Sequence, residues 1–526
     1  MADLDPAELK AYHDDDAQLA QMGHKSELKR HFSLLSMLGL AFAILNSWTA
    51  LSTSLSLSLT SGGPTSVIWG LLTAGICSLC MAASLAEFLS AYPTAAGQYH
   101  WVAVISPQKW MPLLSWITGW VNCAGWVALT ATGGLLGSQL VVGVIALMNP
   151  GYEAERWHQF LIYIGYNIAG FTINALANSV LPYFNKAAFI WSLSGFTVIC
   201  ITVLSCSSPD YNSADFVFRK FINETGWPDG IAWLLGLLQG GLGVTGFDGV
   251  AHMIEEIPNP SVEGPKIMIA CVVIGTVTGF IFLMVLLFVA GDIENIISSS
   301  AGPLLAILKN ATQNNAGATC LLIFSFPLVC MLFTTTAIMT TSSRMCYAFA
   351  RDGGLPFSKW FSKVHPKLKV PLHSLYLNLA LVIIFGLIFL GSSSAFNAIV
   401  SASVVWLDLA YGMPIAINCI RGRNMLPERP FVLPMIVGWT LNIISLAYIS
   451  LTTVLFLFPP EIPATGSSSM NYCVAAFGIV IILSTVTWFA DGRKNYVGPR
   501  IEVEVLAGQV GHSEQPLPAI EHYGEK

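Results

Sequence analysis

The sequence predicts an all-α polytopic membrane protein with about twelve transmembrane helices. Of its 526 residues, 54% are hydrophobic and only 10% are charged, whereas soluble domains carry about 25% charged residues. Apolar runs of the length that a membrane helix needs, about 20 residues, recur along the whole chain. Lys and Arg residues gather in alternate connections between these runs, as in multi-pass proteins. These observations exclude an ordinary soluble enzyme.

The apolar runs define the predicted spans. The third and eighth runs are too long to cross a membrane vertically, so we expect them to tilt or to extend beyond it. We divide the chain into an N-terminal tail at 1–31, a transmembrane domain at 32–491 and a C-terminal tail at 492–526. In chain order the spans lie near 33–59, 65–90, 113–147, 157–181, 187–206, 231–256, 266–290, 318–350, 371–391, 396–420, 431–457 and 470–490.

The basic residues predict the orientation of these spans. If both termini are cytosolic, all but four of the 24 Lys and Arg residues fall on the inner side, the exceptions being Arg156, Arg219, Lys220 and Lys309. Such a bias is what the positive-inside rule requires. Two glycosylation sequons, at Asn223 and Asn310, fall in predicted outer loops. The polar start of the chain has no secretory signal pattern, and we expect a multi-pass protein of the plasma membrane.

The stretch from Gln239 to Lys266 holds the strongest functional signal. Five glycines fall within the ten residues 240–249, and Asp248 lies among them inside an apolar run. Glycines weaken a helix, and free backbone groups at membrane depth are tolerated where they line a wet cavity. This pattern predicts a helix that is broken at a substrate site, formed by Gly246, Phe247 and Asp248. Close helix packing by glycines is the alternative, but packing alone does not require Asp248.

Three stretches resemble the amino acid–polyamine–organocation superfamily, and in particular its fungal amino acid, GABA and choline permeases. They are FDGVAHMIEEIPNP from Phe247, SLAEFLSAYPTAAGQYHW at 84–101 and SSRMCYAFARDGGLPFS at 342–358. The resemblance extends from about residue 32 to about residue 491. It implies a five-plus-five inverted repeat with broken first and sixth helices, which meet at the substrate site and rock to give alternating access.

The middle of the first span, Asn46-Ser47-Trp48-Thr49, is the second half of the expected site. Amino-acid carriers of the superfamily often have a glycine-rich turn here, whose amides hold the substrate carboxylate. This sequence has Asn-Ser-Trp in place of those glycines, which resembles the choline-type branch. Helix packing by the hydroxyl groups is the alternative for the Ser and Thr residues of this span.

Other side chains are candidates for substrate binding, coupling or gating. Trp126 is either a wall of the substrate cavity or an ordinary packing aromatic. His252 follows Asp248 by four residues, shares its helix face, and belongs to the residue type that titrates near neutral pH. We expect this pair to act in proton coupling or gating. Asp408 lies within the tenth span, where an acid is a functional candidate, and a polar packing role is equally open.

Two charged residues near the inner face are expected to form an ion pair. Glu87 ends the second span and Arg344 lies near the end of the eighth, at similar depth, where an unpaired charge is costly. The eighth span also carries hydroxyl groups at 334–336 and 340–343. They either line a cation site, which we favour slightly, or bond back to their own helix.

The sequence therefore predicts a secondary active transporter for a small amine, most favourably choline or a related organic cation. A GABA or amino acid permease is the alternative, and a transport-inactive nutrient sensor is a third hypothesis. A membrane enzyme is disfavoured because no nucleophile–base or metal constellation is present. The expected partners are the amine or amino acid substrate, a coupling proton and the lipid bilayer. We expect no cofactor, metal ion or nucleic acid.

Overall fold

Helices form the regular structure of the chain. The computed structural model describes residues 33–149, 151–391, 395–464 and 470–499, and within them there is no β-strand, only an isolated bridge between Ser61 and Asn223. Nearly all of the two predicted tails falls outside the described residues. The predicted all-α fold is confirmed.

Each of the twelve predicted spans contains a long helix. Eleven helices of the described chain are long and apolar enough to cross a membrane, and the helix Arg156–Leu176, at the fourth predicted span, has 21 residues. In chain order the spans are Leu34–Thr53, Gly63–Ala91, Met111–Met148, Arg156–Leu176, Leu181–Ser207, Asp229–His252, Pro260–Val289, Ala316–Arg351, Leu372–Gly391, Ala395–Ile420, Met435–Leu455 and Cys473–Asn495.

The two longest apolar runs differ from each other. The third span is one helix of 38 residues, which at 1.5 Å per residue is roughly 57 Å long and exceeds the thickness of a bilayer core. The eighth run is interrupted at Phe326 and forms two helices, Ala316–Ser325 and Pro327–Arg351. Pro327 cannot donate a backbone hydrogen bond to the preceding turn. A break at this proline therefore accounts for much of the excess length of the eighth run.

The first and sixth spans are both broken, as expected. The first helix ends at Leu45, and Asn46 adopts a left-handed conformation (φ 40°, ψ 40°) before the chain resumes at Ser47. The sixth span leaves the helical conformation after Val244, and its next helical turn begins only at Gly249. Gly246 has a φ of +95°, a conformation that glycine adopts without a steric penalty.

The two broken spans pack closely against each other. The Ser47 hydroxyl donates to the carbonyl of Gly243 at 2.7 Å, and the Gln239 amide donates to the carbonyl of Leu51 at 2.6 Å. Gly243 leaves room for this approach, because a Cβ atom there would overlap the Leu51 side chain. Side chains thus satisfy backbone carbonyls that the interrupted helices leave free.

The bundle has two ends, which we name the Glu87 end and the Ser61 end. At the Ser61 end, backbone hydrogen bonds join Gly62 to Ile222 and Ile462 to Thr225, so the loop after the fifth span covers this end. The chain between the second and third spans and the loop between the tenth and eleventh lie at the Glu87 end. Between the two ends, large apolar side chains in the middle of spans, such as Ile443 and Ile482, are more than half exposed, as expected of a surface that faces lipid.

Candidate functional site

The Asp248 carboxylate is the centre of a buried polar cluster at the break of the sixth span. Its Oδ1 accepts a hydrogen bond from the Tyr411 hydroxyl at 2.5 Å. Its Oδ2 accepts from Gln98 Nε2 at 2.8 Å and from Trp126 Nε1 at 3.3 Å, and lies 3.2 Å from His252 Nε2. All five side chains are fully buried. A carboxylate without a full cation partner is stable at this depth only because donors surround it.

The donors come from four different elements. Tyr411 lies on the tenth span, Trp126 on the third, and Gln98 begins the short helix Gln98–Ile105 after the second span. His252 ends the helical turn that Asp248 precedes, so the two side chains share a helix face, as predicted. Asp248 thereby joins the movable break to three surrounding elements.

The His252 ring is held between a carbonyl and the Asp248 carboxylate. Nδ1 lies 2.9 Å from the carbonyl oxygen of Ala95, which can only accept, so Nδ1 carries a hydrogen atom. The contact between Nε2 and Asp248 is then a hydrogen bond only if one further proton lies on His252 or on Asp248. Asn122 Nδ2, 3.3 Å from the same Nε2, offers an alternative donor when that proton is absent.

Aromatic rings surround the carboxylate. Trp126 and His252 meet edge to face with ring centroids 5.7 Å apart, and Phe247 lies 4.8 Å from Tyr411. The Trp126 indole packs directly on the break, because a Cβ atom added to Gly249 would lie 3.2 Å from its ring. Trp126, Phe247 and Tyr411 therefore form an aromatic shell around Asp248.

Trp48 does not belong to this shell. Its indole nitrogen donates to the Ser192 hydroxyl at 2.8 Å, and its ring packs edge to face on Phe282 at 4.8 Å. It therefore points toward the fifth and seventh spans. Trp48, which the sequence placed in the expected substrate site, thus packs away from Asp248 in this arrangement, after the left-handed turn at Asn46.

Two further polar groups of the first span are buried without a partner in the described part of the chain. They are Nδ2 of Asn46 and Oγ1 of Thr49, and both side chains are at least 98% buried. The neighbouring Ser47 hydroxyl is already engaged by Gly243. Because an unsatisfied buried polar group is costly, Asn46 and Thr49 are the groups of this span that gain most from a bound molecule.

A cavity of about 370 Å³ opens at the Ser61 end. It runs between the first, sixth, tenth and eleventh spans, and Leu238, Ser401 and Phe456 are among its walls. The carboxylates of Glu224 and Glu461 lie at its outer part. Asp248 is not among the lining residues, so the polar cluster is closed off from this cavity here.

Comparison with known proteins identifies the family. The amino acid permease family matches residues 32–483. The chain belongs to this family. It is therefore a permease of the amino acid–polyamine–organocation superfamily, as the sequence motifs suggested.

Individual relatives cover nearly the whole permease. A choline transporter of Saccharomyces cerevisiae is 34% identical over 496 residues, which are 93% of this chain and 86% of the relative. An amino-acid permease of Arabidopsis thaliana is 31% identical over 92% of this chain and 95% of its own. A swainsonine transporter of Arthroderma benhamiae is 29% identical over 91% of this chain and 95% of its own. The permease is thus a multi-pass membrane transporter that is similar to these relatives over most of its length.

Glu87 of the permease does not pair with Arg344, and this prediction is wrong. Its two carboxylate oxygens lie 2.5 Å from Nη2 of Arg423 and 2.6 Å from Nη2 of Arg429. The backbone amide of Leu433 donates to the same carboxylate at 3.0 Å. Glu87 therefore fixes the loop between the tenth and eleventh spans to the end of the second span.

Arg344 pairs instead with the turn after the sixth span. Its Nε lies 3.4 Å from Oε1 of Glu256, and its Nη2 donates to Asn178 at 3.0 Å. Burial raises the pKa of the Glu256 carboxyl, and the nearby Arg344 opposes this rise. The neighbouring Glu255 contacts Arg351 at 3.4 Å. The Glu87 end is thus closed by buried ion pairs that join several spans.

The threonine hydroxyl groups of the eighth span bond back to their own helix, which is the second of the two interpretations of the sequence. Thr334, Thr335 and Thr336 each donate to the carbonyl four residues earlier, at 2.8 to 2.9 Å. Thr340 and Thr341 do the same. These groups satisfy their own helix, so the slight preference for a cation site is not supported by their contacts.

Four side chains that contact Asp248 or Glu87 had not been singled out from the sequence. They are Gln98, Tyr411, Arg423 and Arg429. Gln98 lies in the stretch at 84–101 that carries the family resemblance, and Tyr411 follows Asp408 by one helical turn. Both are polar residues in or beside an apolar span, but nothing in the sequence indicated that they contact Asp248.

Among the described residues, no group of His, Cys, Asp and Glu is arranged to hold a metal ion.

Proposed function

We propose that this permease is a secondary active transporter that takes up a small amine, with choline or a closely related organic cation as its preferred substrate. The observation that carries the proposal is the Asp248 carboxylate inside the shell of Trp126, Phe247 and Tyr411. A carboxylate neutralises a quaternary ammonium group without needing an N–H donor from it. Aromatic faces attract such a cation with about 0.5–2 kcal/mol each.

The first span supports a substrate without a carboxylate. Asn-Ser-Trp stands at 46–48, where amino-acid carriers of this superfamily often have a glycine turn. Asn46 and Thr49 retain unpartnered polar groups, which suit a hydroxyl group such as that of choline. The likeness to the yeast choline transporter, at 34% identity over most of both chains, also supports this substrate class.

Transport of GABA or of an amino acid is the alternative. It is favoured by the family itself and by the likeness to the Arabidopsis amino-acid permease. A zwitterion would place its ammonium group at Asp248 as well. The two hypotheses differ because GABA or an amino acid also needs a group of the protein that holds the substrate carboxylate. The described chain has no Lys or Arg side chain in the cluster around Asp248, and this favours the cation.

Access from outside is through the cavity at the Ser61 end. The distribution of Lys and Arg favours a plasma-membrane orientation in which the Glu87 end and both termini are cytosolic. The cavity would then face the exterior, and Glu224 and Glu461 would attract cations into it. Gln98 and Tyr411 saturate Asp248 in the closed arrangement. A substrate therefore reaches the carboxylate only when the sixth-span break moves away from these donors.

The coupling ion in this proposal is a proton. Because Nδ1 of His252 bonds to the Ala95 carbonyl, a proton on Nε2, or on Oδ2 of Asp248, would complete the hydrogen bond between them, and we assign the coupling proton to this position. Uptake against a gradient needs such a coupled ion, and a His side chain changes its charge within the physiological pH range. The Glu87 and Arg344 ion pairs would act as the inner gate.

Uptake of radiolabelled choline into cells deleted for their own choline and amino-acid carriers tests the proposal. Cells that express the permease should accumulate choline, and unlabelled quaternary amines should compete better than GABA or neutral amino acids. Cells with the Asp248→Asn variant, expressed at the same level at the cell surface, serve as the control. If a neutral amino acid enters, and choline neither enters nor competes, the amino-acid alternative replaces this proposal.

A further inference from the structure

A second acid of the permease is buried without a partner. Asp408, in the middle of the tenth span, is 2% exposed. Its Oδ2 has no hydrogen-bond partner, and no ion pair to Asp408 occurs in the described part of the chain. An ionised carboxylate in this position would be unpaired at membrane depth, which is costly. The Asp408 carboxyl is therefore protonated, and neutral, in this arrangement.

The groups around Asp408 are polar but uncharged. Three uncharged groups lie near enough to be influenced by its charge: the Cys77 thiol of the second span, the Tyr448 hydroxyl of the eleventh and the Tyr411 hydroxyl of its own helix. No Lys, Arg or His side chain of the described chain forms an ion pair with it. The Tyr448 hydroxyl is itself buried without a hydrogen-bond partner.

Two unsatisfied groups in one helix interface indicate a second arrangement of that interface. A carboxyl kept only for packing would be expected to bond to the nearby hydroxyl, since unpaired buried groups are rare in folded proteins. A small shift of the eleventh span against the tenth would let Tyr448 donate to Asp408. That bond stabilises the ionised form of the carboxyl. The interface therefore offers one arrangement for the protonated acid and another for its anion.

Asp408 is also connected to the central cluster. Tyr411 lies one helical turn beyond it and donates to Asp248 at 2.5 Å, while the same hydroxyl interacts electrostatically with Asp408. A negative charge at Asp408 would repel the negative charge at Asp248 across this hydroxyl. The ionisation of one acid therefore opposes the ionisation of the other.

We propose that Asp408 is a second proton-binding residue of the permease, which is protonated in the closed arrangement and releases its proton to water when Tyr448 pairs with the carboxylate. The proposal rests on the proposed function in one respect, namely that the transport cycle exchanges this proton. Binding of a cation at Asp248 would then be coupled to proton release or uptake at Asp408 through Tyr411.

Infrared spectroscopy of the purified permease in lipid tests the protonation without any substrate. The carbonyl band of a protonated carboxyl should be present at neutral pH, should lose intensity in Asp408→Asn and should be retained in Asp248→Asn. Ser403→Ala, on the same span, is the folding control, because its hydroxyl donates to the Val400 carbonyl of its own helix and accepts a long hydrogen bond of 3.5 Å from Thr132. A spectrum of Asp408→Asn that retains the whole band overturns the proposal, whatever the substrate proves to be.

The exchange of the proton is tested in proteoliposomes with whichever compound the wild-type permease accumulates. Asp408→Asn mimics the protonated acid and should lower accumulation driven by a pH gradient by about tenfold or more. Exchange of labelled for unlabelled substrate across the same membrane should fall much less. Equal loss of both activities, or unchanged gradient-driven accumulation, would overturn a role in coupling. Failure of the wild type to accumulate choline would count against the proposed substrate and not against this site.

Discussion

The Tyr411 hydroxyl lies 2.5 Å from Oδ1 of Asp248 and also accepts a hydrogen bond from the backbone amide of Gly246 at 3.3 Å. One side chain of the tenth span thus bonds to two residues of the non-helical segment in the sixth span, Gly246 and Asp248. It fixes the position of the break and supplies a donor to the buried carboxylate. Movement of the break during transport requires this bond to be lost.

Tyr411→Phe should therefore ease movement of the break without removing the aromatic ring. A hydrogen bond to a charged group is worth about 1.5–3 kcal/mol, and this one is made only in the substrate-free arrangement, so the half-saturation concentration for choline uptake should fall between about tenfold and about a hundredfold. Tyr166→Phe is the matched control, because it removes a hydroxyl that bonds only to the Leu328 carbonyl. Equal uptake constants for the two variants would show that the Tyr411 hydroxyl is dispensable.

Trp126 should matter more than Trp48 for the choice of amine. The Trp126 ring lies beside the Asp248 carboxylate, whereas the Trp48 ring packs on Phe282. Trp126→Leu should raise the half-saturation concentration more for a quaternary than for a primary amine, because the primary amine retains N–H groups that bond to Asp248. Trp48→Leu should affect both amines alike. The half-saturation concentrations for both amines, measured in each variant, test this prediction. A larger effect of Trp48→Leu on one amine than on the other would contradict it.

His252 should carry the pH dependence of uptake. In the wild type, uptake should rise as the external pH falls between about pH 8 and pH 5, the range in which histidine gains a proton. In His252→Gln the side chain stays neutral, so uptake should vary little across this range. Initial rates at constant membrane potential measure the effect. If the profile of His252→Gln matches that of the wild type, His252 is a packing residue.

Glu87 should be coupled to Arg429 and independent of Arg344. The first pair is in contact at 2.6 Å, whereas Arg344 bonds to Glu256 and Asn178. A double-mutant cycle on the free energy of unfolding, with Glu87→Gln and Arg429→Gln, should give a coupling of about 0.5–3 kcal/mol. Glu87→Gln combined with Arg344→Gln should be additive within about 0.5 kcal/mol. Coupling of Glu87 to Arg344, together with additive effects of Glu87 and Arg429, would support the Glu87–Arg344 pair expected from the sequence.

The sequence was sufficient to predict the helices, the break in the sixth span and the position of Asp248, whereas the break in the first span was expected from the family resemblance. Apolar length and glycine content act locally, so a span and its interruption are visible in a single run of residues. The proximity of Asp248 and His252 follows from the helical repeat alone. These parts of the site depend on neighbours within a few positions of the chain.

The partners from distant spans could not be predicted in the same way. Gln98 and Tyr411 are 150 and 163 residues from Asp248, and Arg429 is 342 residues from Glu87. Depth in the membrane indicates which charges lie near one face, but at the Glu87 end several acids and several arginines share that depth. The choice among them depends on helix rotation and loop conformation. The same limit explains Trp48, because the left-handed turn at Asn46 changes the direction of the following side chains.

Binding of tritiated choline to the purified permease in lipid nanodiscs tests the central claim, that Asp248 is the counter-charge of a cationic substrate. Wild-type permease should bind choline saturably, and Asp248→Asn, which keeps the size of the side chain and removes its charge, should show no saturable binding. The Ser403→Ala variant should bind as the wild type does. Choline binding to Asp248→Asn with wild-type affinity would contradict the account, as would a wild-type permease that binds a neutral amino acid and not choline.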